Sequence, residues 1–221
     1  MSQANLSSAK KELLQRRLAG RGKVPIPSRD PAAEVPLSFA QQRFWLFNQI
    51  QADRSNAYYQ RPLLLRLQGE LDPDALCSAL TALVERQSIL RTRFPLTPGG
   101  PIQEILPPSL VSPTVYDLSS LAPPAQAERL AAILSEIQRP FDLLEAPPLR
   151  WALVKQAAED AVLIAAMHHI IFDGWSSSVF QTDLAEFYAA AIENRPPRLP
   201  PLSIDYADYA CWQRASPSSQ E

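Results

Sequence analysis

Apolar residues recur at two periods along this chain, and the switches between them mark out its elements. Leu13, Leu14 and Leu18 form one stripe among Lys10, Lys11, Glu12, Arg16 and Arg17. That spacing predicts an amphipathic helix over 8–19, with Ser8 as N-cap and Gly20 as stop. Residues 1–22 therefore read as an N-terminal amphipathic segment, and the Pro- and Gly-containing residues 23–36 as a linker. Ser38 with Gln41 three residues on is a capping-box pattern; it opens a helix whose expected apolar face is Phe39, Trp45, Leu46 and Ile50. Residues 62–67 are an apolar run suited to a strand. Asp72 and Pro73 start a helix with a Leu76, Leu80, Leu83, Val84 stripe.

Further along, 90–94 and 102–106 read as strands around the turn of Thr97, Pro98, Gly99 and Gly100. A helix over 124–138 ends before Pro140. Residues 149–155 and 161–167 pair as a hairpin, the second arm continuously apolar and so covered on both faces. Helices over 176–193 and 206–214 flank a proline-rich tract, and 215–221 is a polar tail. No internal repeat is present. Strands alternating with helices predict an α/β or α+β fold.

Composition narrows the function classes. Of 221 residues 22 are proline, about twice ordinary usage, and the hydrophobic share of 46% is that of a globular chain. The net charge of -2 offers no basic surplus for phosphates, which argues against nucleic acid. The longest purely apolar run, 161–167, is far short of a membrane span. The start is polar and lacks a signal-peptide core, so cytoplasmic residence is the default expectation. Cys77 and Cys211 lie far apart among apolar neighbours and read as small buried hydrophobes.

Chemistry concentrates where the second hairpin arm ends, at Met167-His168-His169-Ile170-Ile171-Phe172-Asp173-Gly174-Trp175. The two histidines are the only ones in the chain. On a strand, consecutive side chains point to opposite faces, so the pair does not converge on one ion, and Asp173 plus one histidine is incomplete for zinc. No metal or bound cofactor is expected. Ser176, Ser177 and Ser178 follow, but without a G-x-S-x-G elbow. Two readings stay open on spacing alone: a reactive strand end, or two histidines filling the core.

The stretch from His168 to Gly174 resembles the HHxxxDG signature of the condensation domains of nonribosomal peptide synthetases. Four further stretches agree in order. Ser38 to Trp45 resembles the opening SxAQxRLW motif, and Leu90-Arg91-Thr92-Arg93-Phe94 the LRTxF element. Pro140-Phe141-Asp142-Leu143 leading to Pro148-Leu149-Arg150 is similar to PFDL…PLLR, and Tyr206 to Arg214 to YADYAxWQR. The resemblance covers about 36–214. Where the family usually writes RHExLRT, this chain has Arg86-Gln87-Ser88-Ile89-Leu90-Arg91-Thr92.

The resemblance implies a chloramphenicol-acetyltransferase-like lobe over 37–214, a mixed β-sheet flanked by helices. It implies amide formation between thioesters presented on the 4'-phosphopantetheine arms of donor and acceptor carrier proteins. It assigns catalysis to the His168, His169, Asp173, Gly174 motif, with His169 in the acting role and His168 turned into the core. Asp173 is expected to need a cationic partner, Arg91, with Arg86 nearby. Gly174 is expected to permit a tight turn, and Trp175 to pack. An imidazole ordinarily titrates at about 6.5 and an α-amino group at about 8, so roughly a tenth of the amine is already neutral at pH 7. Orientation and late proton transfer are therefore favoured over deprotonation in advance. The family also implies a second lobe and a downstream adenylation domain. On that reading 221 residues are the start of a synthetase and inactive alone. The alternatives are a coenzyme A-dependent acyltransferase of the same superfamily, and a non-catalytic module in which residues 1–22 dock an upstream synthetase subunit.

Overall fold

The computed structural model describes residues 25–50 and 60–216. Among these the strands are β1 (Val35–Pro36), β2 (Gln60–Gln68), β3 (Thr92–Arg93), β4 (Leu96–Thr97), β5 (Gly100–Ile105), β6 (Thr114–Asp117), β7 (Leu149–Ala157) and β8 (Asp160–His168). The helices are α1 (Phe39–Ile50), α2 (Pro73–Arg86), α3 (Pro123–Ile137), α4 (Gly174–Ile192) and α5 (Tyr206–Ala215). The helix expected over 8–19 and the tail beyond 216 lie outside the described residues.

The main sheet runs β2–β8–β7–β6 and is mixed: β8 lies antiparallel between β2 and β7, while β6 joins β7 in parallel. The expected hairpin forms, with Leu153 opposite Leu163 and a bulge between Lys155 and Ala157. Residues 163 to 168 of β8 are all buried, as a strand covered on both faces requires. On α2 the Asp72 carboxylate accepts from the N–H groups of Asp74 and Ala75, and Leu76, Leu80, Leu83 and Val84 are buried as their spacing predicts. That face lies against α4. β1, β3 and β4 pair antiparallel with β5 to make a smaller sheet. The result is the mixed sheet flanked by helices that the resemblance implies.

Four local expectations are corrected. The α1 helix forms behind the Ser38–Gln41 capping box, in which Gln41 N–H donates to Ser38 Oγ at 3.1 Å and Ser38 N–H to Gln41 Oε1 at 2.9 Å. Its buried face, however, carries Gln41 and Asn48, while Leu46 and Ile50 are 53% and 70% exposed. The Gln41 amide has buried acceptors to satisfy, Gln103 Oε1 at 3.2 Å and the Ile170 carbonyl at 3.4 Å. Of the expected apolar face Phe39 and Trp45 are half-buried, with Trp45 against the core, so the Gln41 amide and these aromatics together set the roll of this helix.

Residues 88–91, expected as strand from Leu90 onward, form a 3-10 turn instead, because Leu90 N–H bonds back to Gln87 O and the Thr92 hydroxyl back to Ser88 O. The described part of the expected linker is pinned to the domain. Arg29 bonds Asp205 and Asp208 at 3.0 Å each, and Val35–Pro36 pair with Gln103 and Ile102. Cys77 and Cys211 are half-buried free thiols rather than core residues.

Candidate active site

β8 delivers His168 and His169 to the edge of the core. His168 is fully buried. Its Nδ1 accepts from Ile170 N–H at 3.1 Å, and its carbonyl accepts from Ile171 N–H at 3.0 Å, which turns the chain off the strand. Burial first, and the neighbouring His169 second, push the His168 imidazole down to about 4. It is therefore neutral at physiological pH, as a histidine turned into the core should be.

His169 is half-buried, and its Nδ1 lies 2.9 Å from the Phe172 carbonyl oxygen. A carbonyl can only accept, so Nδ1 carries a proton, and in the neutral ring Nε2 holds the lone pair. The Phe44 ring stacks on His169 at 6.0 Å and meets His168 edge-on at 6.3 Å. One aromatic from α1 thus orients both imidazoles. Gln41, one turn earlier, holds the Ile170 carbonyl of the same loop. Behind Phe172, Phe180 and Trp151 continue the aromatic packing.

Asp173 has no arginine partner among the described residues. It is exposed at the N-cap of α4, where Oδ1 accepts from Ser176 N–H at 2.8 Å and the Ser176 hydroxyl at 2.6 Å. The Ser176 hydroxyl is the largest cause holding this carboxyl below its ordinary range, followed by the Ser176 N–H. Arg91 instead donates to the Leu106 carbonyl, and its Nε is buried with no hydrogen-bond partner among the described residues. Arg86 bonds Asp183 on α4 at 3.1 Å and the Pro200 carbonyl at 2.9 Å. The expected Asp173–Arg91 pair fails because a carboxylate exposed at a helix N-terminus is stabilised by N–H groups and water.

Two neighbours also differ from expectation. Gly174 opens α4 without a positive φ, and a Cβ there would meet nothing within 4 Å, so no tight turn demands glycine. Trp175 does not pack; it is 85% exposed. Beside His169 lies a cavity of about 550 Å³, bordered by Phe44, Trp175, Val179 and Tyr206 among others. The two positions that depart from the RHExLRT pattern keep polar connections, Gln87 Nε2 to Asp183 at 2.7 Å and Ser88 Oγ to Asp205 at 3.0 Å. From sequence, Gln41 had only a capping role and Asp183 none. Ser176 carried a usable signal, the Asp-x-x-Ser spacing of a capping box.

Residues 32–221 match the family model of the condensation domain. The chain belongs to the condensation-domain family. A linear gramicidin synthase of Brevibacillus parabrevis is 42% identical over 193 residues, covering 86% of this chain and 2% of that protein. Phosphinothricin tripeptide synthetase PhsC of Streptomyces viridochromogenes is 40% identical over 219 residues, covering 96% of this chain and 20% of the relative. Among solved structures, the X-domain from teicoplanin biosynthesis superposes with a TM-score of 0.73 at 32% identity, over 86% of this chain and 40% of that one. The first condensation domain of the calcium-dependent antibiotic synthetase, in complex with a substrate analogue, gives 0.74 at 25%, over 86% and 45%. This condensation-domain chain therefore spans a small part of the curated relatives it matches and less than half of these solved structures. No helix among its described residues is long and apolar enough to cross a membrane, and no cluster of three metal-ligating side chains occurs among them.

Proposed function

We propose that this lobe supplies the acting histidine for amide formation between two carrier-bound thioesters, an acyl or peptidyl donor and an aminoacyl acceptor. The observation that carries the reading is the 2.9 Å approach of His169 Nδ1 to the Phe172 carbonyl: it holds Nδ1–H there, and in the neutral ring leaves Nε2 as an acceptor on a side chain lining the cavity. The acceptor amine attacks the donor carbonyl, forming the C–N bond. His169 Nε2 accepts the proton that the nitrogen sheds from the tetrahedral intermediate. The C–S bond then breaks, and the same proton passes to the departing pantetheine thiolate. Positioning by the Nε2 lone pair precedes that transfer.

The other motif residues support this arrangement. His168, neutral and buried, anchors the loop through Ile170 N–H, and Asp173 caps α4. Gly174, first residue of α4, has an N–H in the turn that lacks intrahelical acceptors, which suits a developing oxyanion. Arg86 supports the site through Asp183, on the same helix that Asp173 caps. Arg91 acts only at a distance, by tying the 3-10 turn to Leu106. Donor and acceptor carrier proteins are the partners on this reading, and their phosphopantetheine arms are part of the substrates.

The test uses a two-lobe condensation domain carrying this lobe, mixed with loaded donor and acceptor carriers, with amide product followed by mass spectrometry. His169→Ala lowers the rate roughly 10²- to 10⁴-fold while the melting temperature holds. Amide formation at the unsubstituted rate by that variant would refute the assignment.

A further inference from the structure

Gln41 and Phe44 lie three residues apart on α1, so they share a face, and that face grips the histidine loop. The Gln41 amide donates to the Ile170 carbonyl at 3.4 Å, while the Phe44 ring stacks on His169 with centroids 6.0 Å apart and planes 25° from parallel. The same ring stands at 88° to the His168 imidazole, centroids 6.3 Å apart. Both separations fall where aromatic pairs attract in offset-stacked or T-shaped form. Phe44 therefore touches both an imidazole that the core immobilises and the one that lines the cavity. The helix that carries it is itself held. Ser38 and Gln41 close its first turn, and Trp45 Nε1 donates to the Phe94 carbonyl at 3.0 Å. Arg214 donates to the Leu37 carbonyl and to Gln42 Oε1, each at 2.6 Å.

A single hydrogen bond leaves an imidazole one freedom that matters for a proton acceptor. The Phe172 carbonyl fixes Nδ1 at 2.9 Å, but the ring can still rock about the line through Cβ and Nδ1. The lone pair of Nε2 lies in the ring plane, so rocking swings the direction in which it accepts. A flat partner against the ring face stops this motion. A branched aliphatic chain fills space there without imposing a plane. Position 44 is where the opening SxAQxRLW pattern writes Leu, and this chain has Phe. The ring thus adds a restraint on His169 that the pattern does not contain.

We propose that Phe44 is a positioning residue for amide formation: its face fixes the plane of the His169 imidazole and, together with the Nδ1 contact, gives the Nε2 lone pair one direction. The inference rests on the reading of His169 as the acting residue. Phe44 touches no reacting atom and acts through His169. Loosening the ring therefore slows the bound complex without weakening binding, so kcat falls while KM holds.

Three variants at this one position separate orientation from packing. In the two-lobe domain with loaded carriers, Phe44→Leu lowers kcat roughly 10- to 100-fold with KM unchanged. Phe44→Met fills the space with an adaptable chain that has no plane, and loses as much. Phe44→Tyr keeps the face and restores the unsubstituted rate. A packing role would give the reverse order, with Met restoring the rate and kcat following the melting temperature. NMR of the 221-residue chain reads the ring itself, because His168 and His169 are its two histidines and His169→Ala assigns their signals. The His169 ring protons lie upfield against the Phe44 face, move downfield in Phe44→Leu and Phe44→Met, and stay in place in Phe44→Tyr. Unmoved His169 signals in the Leu and Met variants would overturn the proposal. So would an unchanged kcat in Phe44→Leu, or a rate that Met restores or Tyr does not. Each of these leaves the proposed function standing. Amide formed at the unsubstituted rate by His169→Ala would instead overturn the proposed function and, with it, the part of Phe44 in the reaction.

Discussion

Asp173 and Ser176 close a reciprocal cap: the Asp173 carboxylate accepts from both the N–H and the hydroxyl of Ser176, and the Ser176 Oγ lies 3.4 Å from Asp173 N–H. The motif's aspartate is therefore committed to the helix it starts, not to an arginine across the fold. Asp173→Ala removes a cap and should cost about 1 kcal/mol, a melting-temperature drop of roughly 2–4 °C for a domain this size. Asp173→Ser retains the cap and should lose less. Asp173→Ala and Arg91→Ala should add within about 0.5 kcal/mol. A strong coupling in thermal denaturation would mean that the two side chains meet after all.

His168 makes a pH prediction with a definite sign. Its folded-state pKa, about 4, lies below the ordinary value near 6.5. Between those values the unfolded chain binds the proton and the folded one does not. The stability held by neutral His168 is thus complete above about pH 6.5 and is lost as pH falls through about 4, by roughly 3 kcal/mol in all. His168→Asn keeps an acceptor for Ile170 N–H without the titration. Urea titrations from pH 7.5 to 4 should show a shallower decline in that variant. Asp173, whose carboxyl is depressed, adds a loss only at lower pH, below the ordinary carboxylate range. Parallel pH profiles for wild type and His168→Asn would show that His168 is not the titrating group.

The hairpin and the capped α2 helix were legible because their determinants are local: a continuous apolar run, and Asp72 followed by Pro73. The motif strand end was legible for the same reason, and the resemblance it carries implied the inward placement of His168 that the burial of this side chain bears out. The roll of α1 was not, since it depends on Gln103, 62 residues from Gln41, presenting an amide oxygen at the right place. The fate of Asp173 was obscured differently. A carboxylate beside a buried strand reads as needing a cation until the chain's turn at Ile171 is known to lift it into solvent. Trp175 is likewise apolar in type but lies beyond that turn, where the described residues leave it 85% exposed.

Arg86, Gln87 and Asp183 form a buried polar cluster that ties α2 to α4. The Arg86 and Asp183 side chains are 16% and 7% exposed, so truncating one leaves the other charged and poorly solvated. Asp183→Ala should destabilise by about 3–5 kcal/mol, more than Gln87→Ala, because Gln87 is neutral. The double variant Arg86→Ala with Asp183→Ala should recover part of that loss, giving a coupling energy of opposite sign to the single effects. Because the cluster lies along the helix that Asp173 caps, the single variants should also raise hydrogen exchange at the α4 amides. Simple additivity in chemical denaturation would remove the cluster's claim to hold α4.

Gln41 is the link between the opening motif and the histidine loop, and its two ends behave differently. Oε1 accepts from Ser38 N–H, whereas Nε2 donates to the Ile170 carbonyl and Gln103 Oε1. Gln41→Glu preserves the first contact and turns the second into an acceptor facing two acceptors. A carboxyl there, buried and bordered by oxygens, holds its proton to higher pH than an ordinary glutamate. The folded variant then binds more protons than the unfolded one, so its stability rises as pH falls, opposite to the trend from His168. Its melting temperature should drop between pH 5 and 8 while that of the wild type does not, and amide formation should fall over the same range as Ile170 and the His169 loop lose their tether. A Gln41→Glu variant as stable as wild type at pH 8 would show that the loop is positioned without this amide.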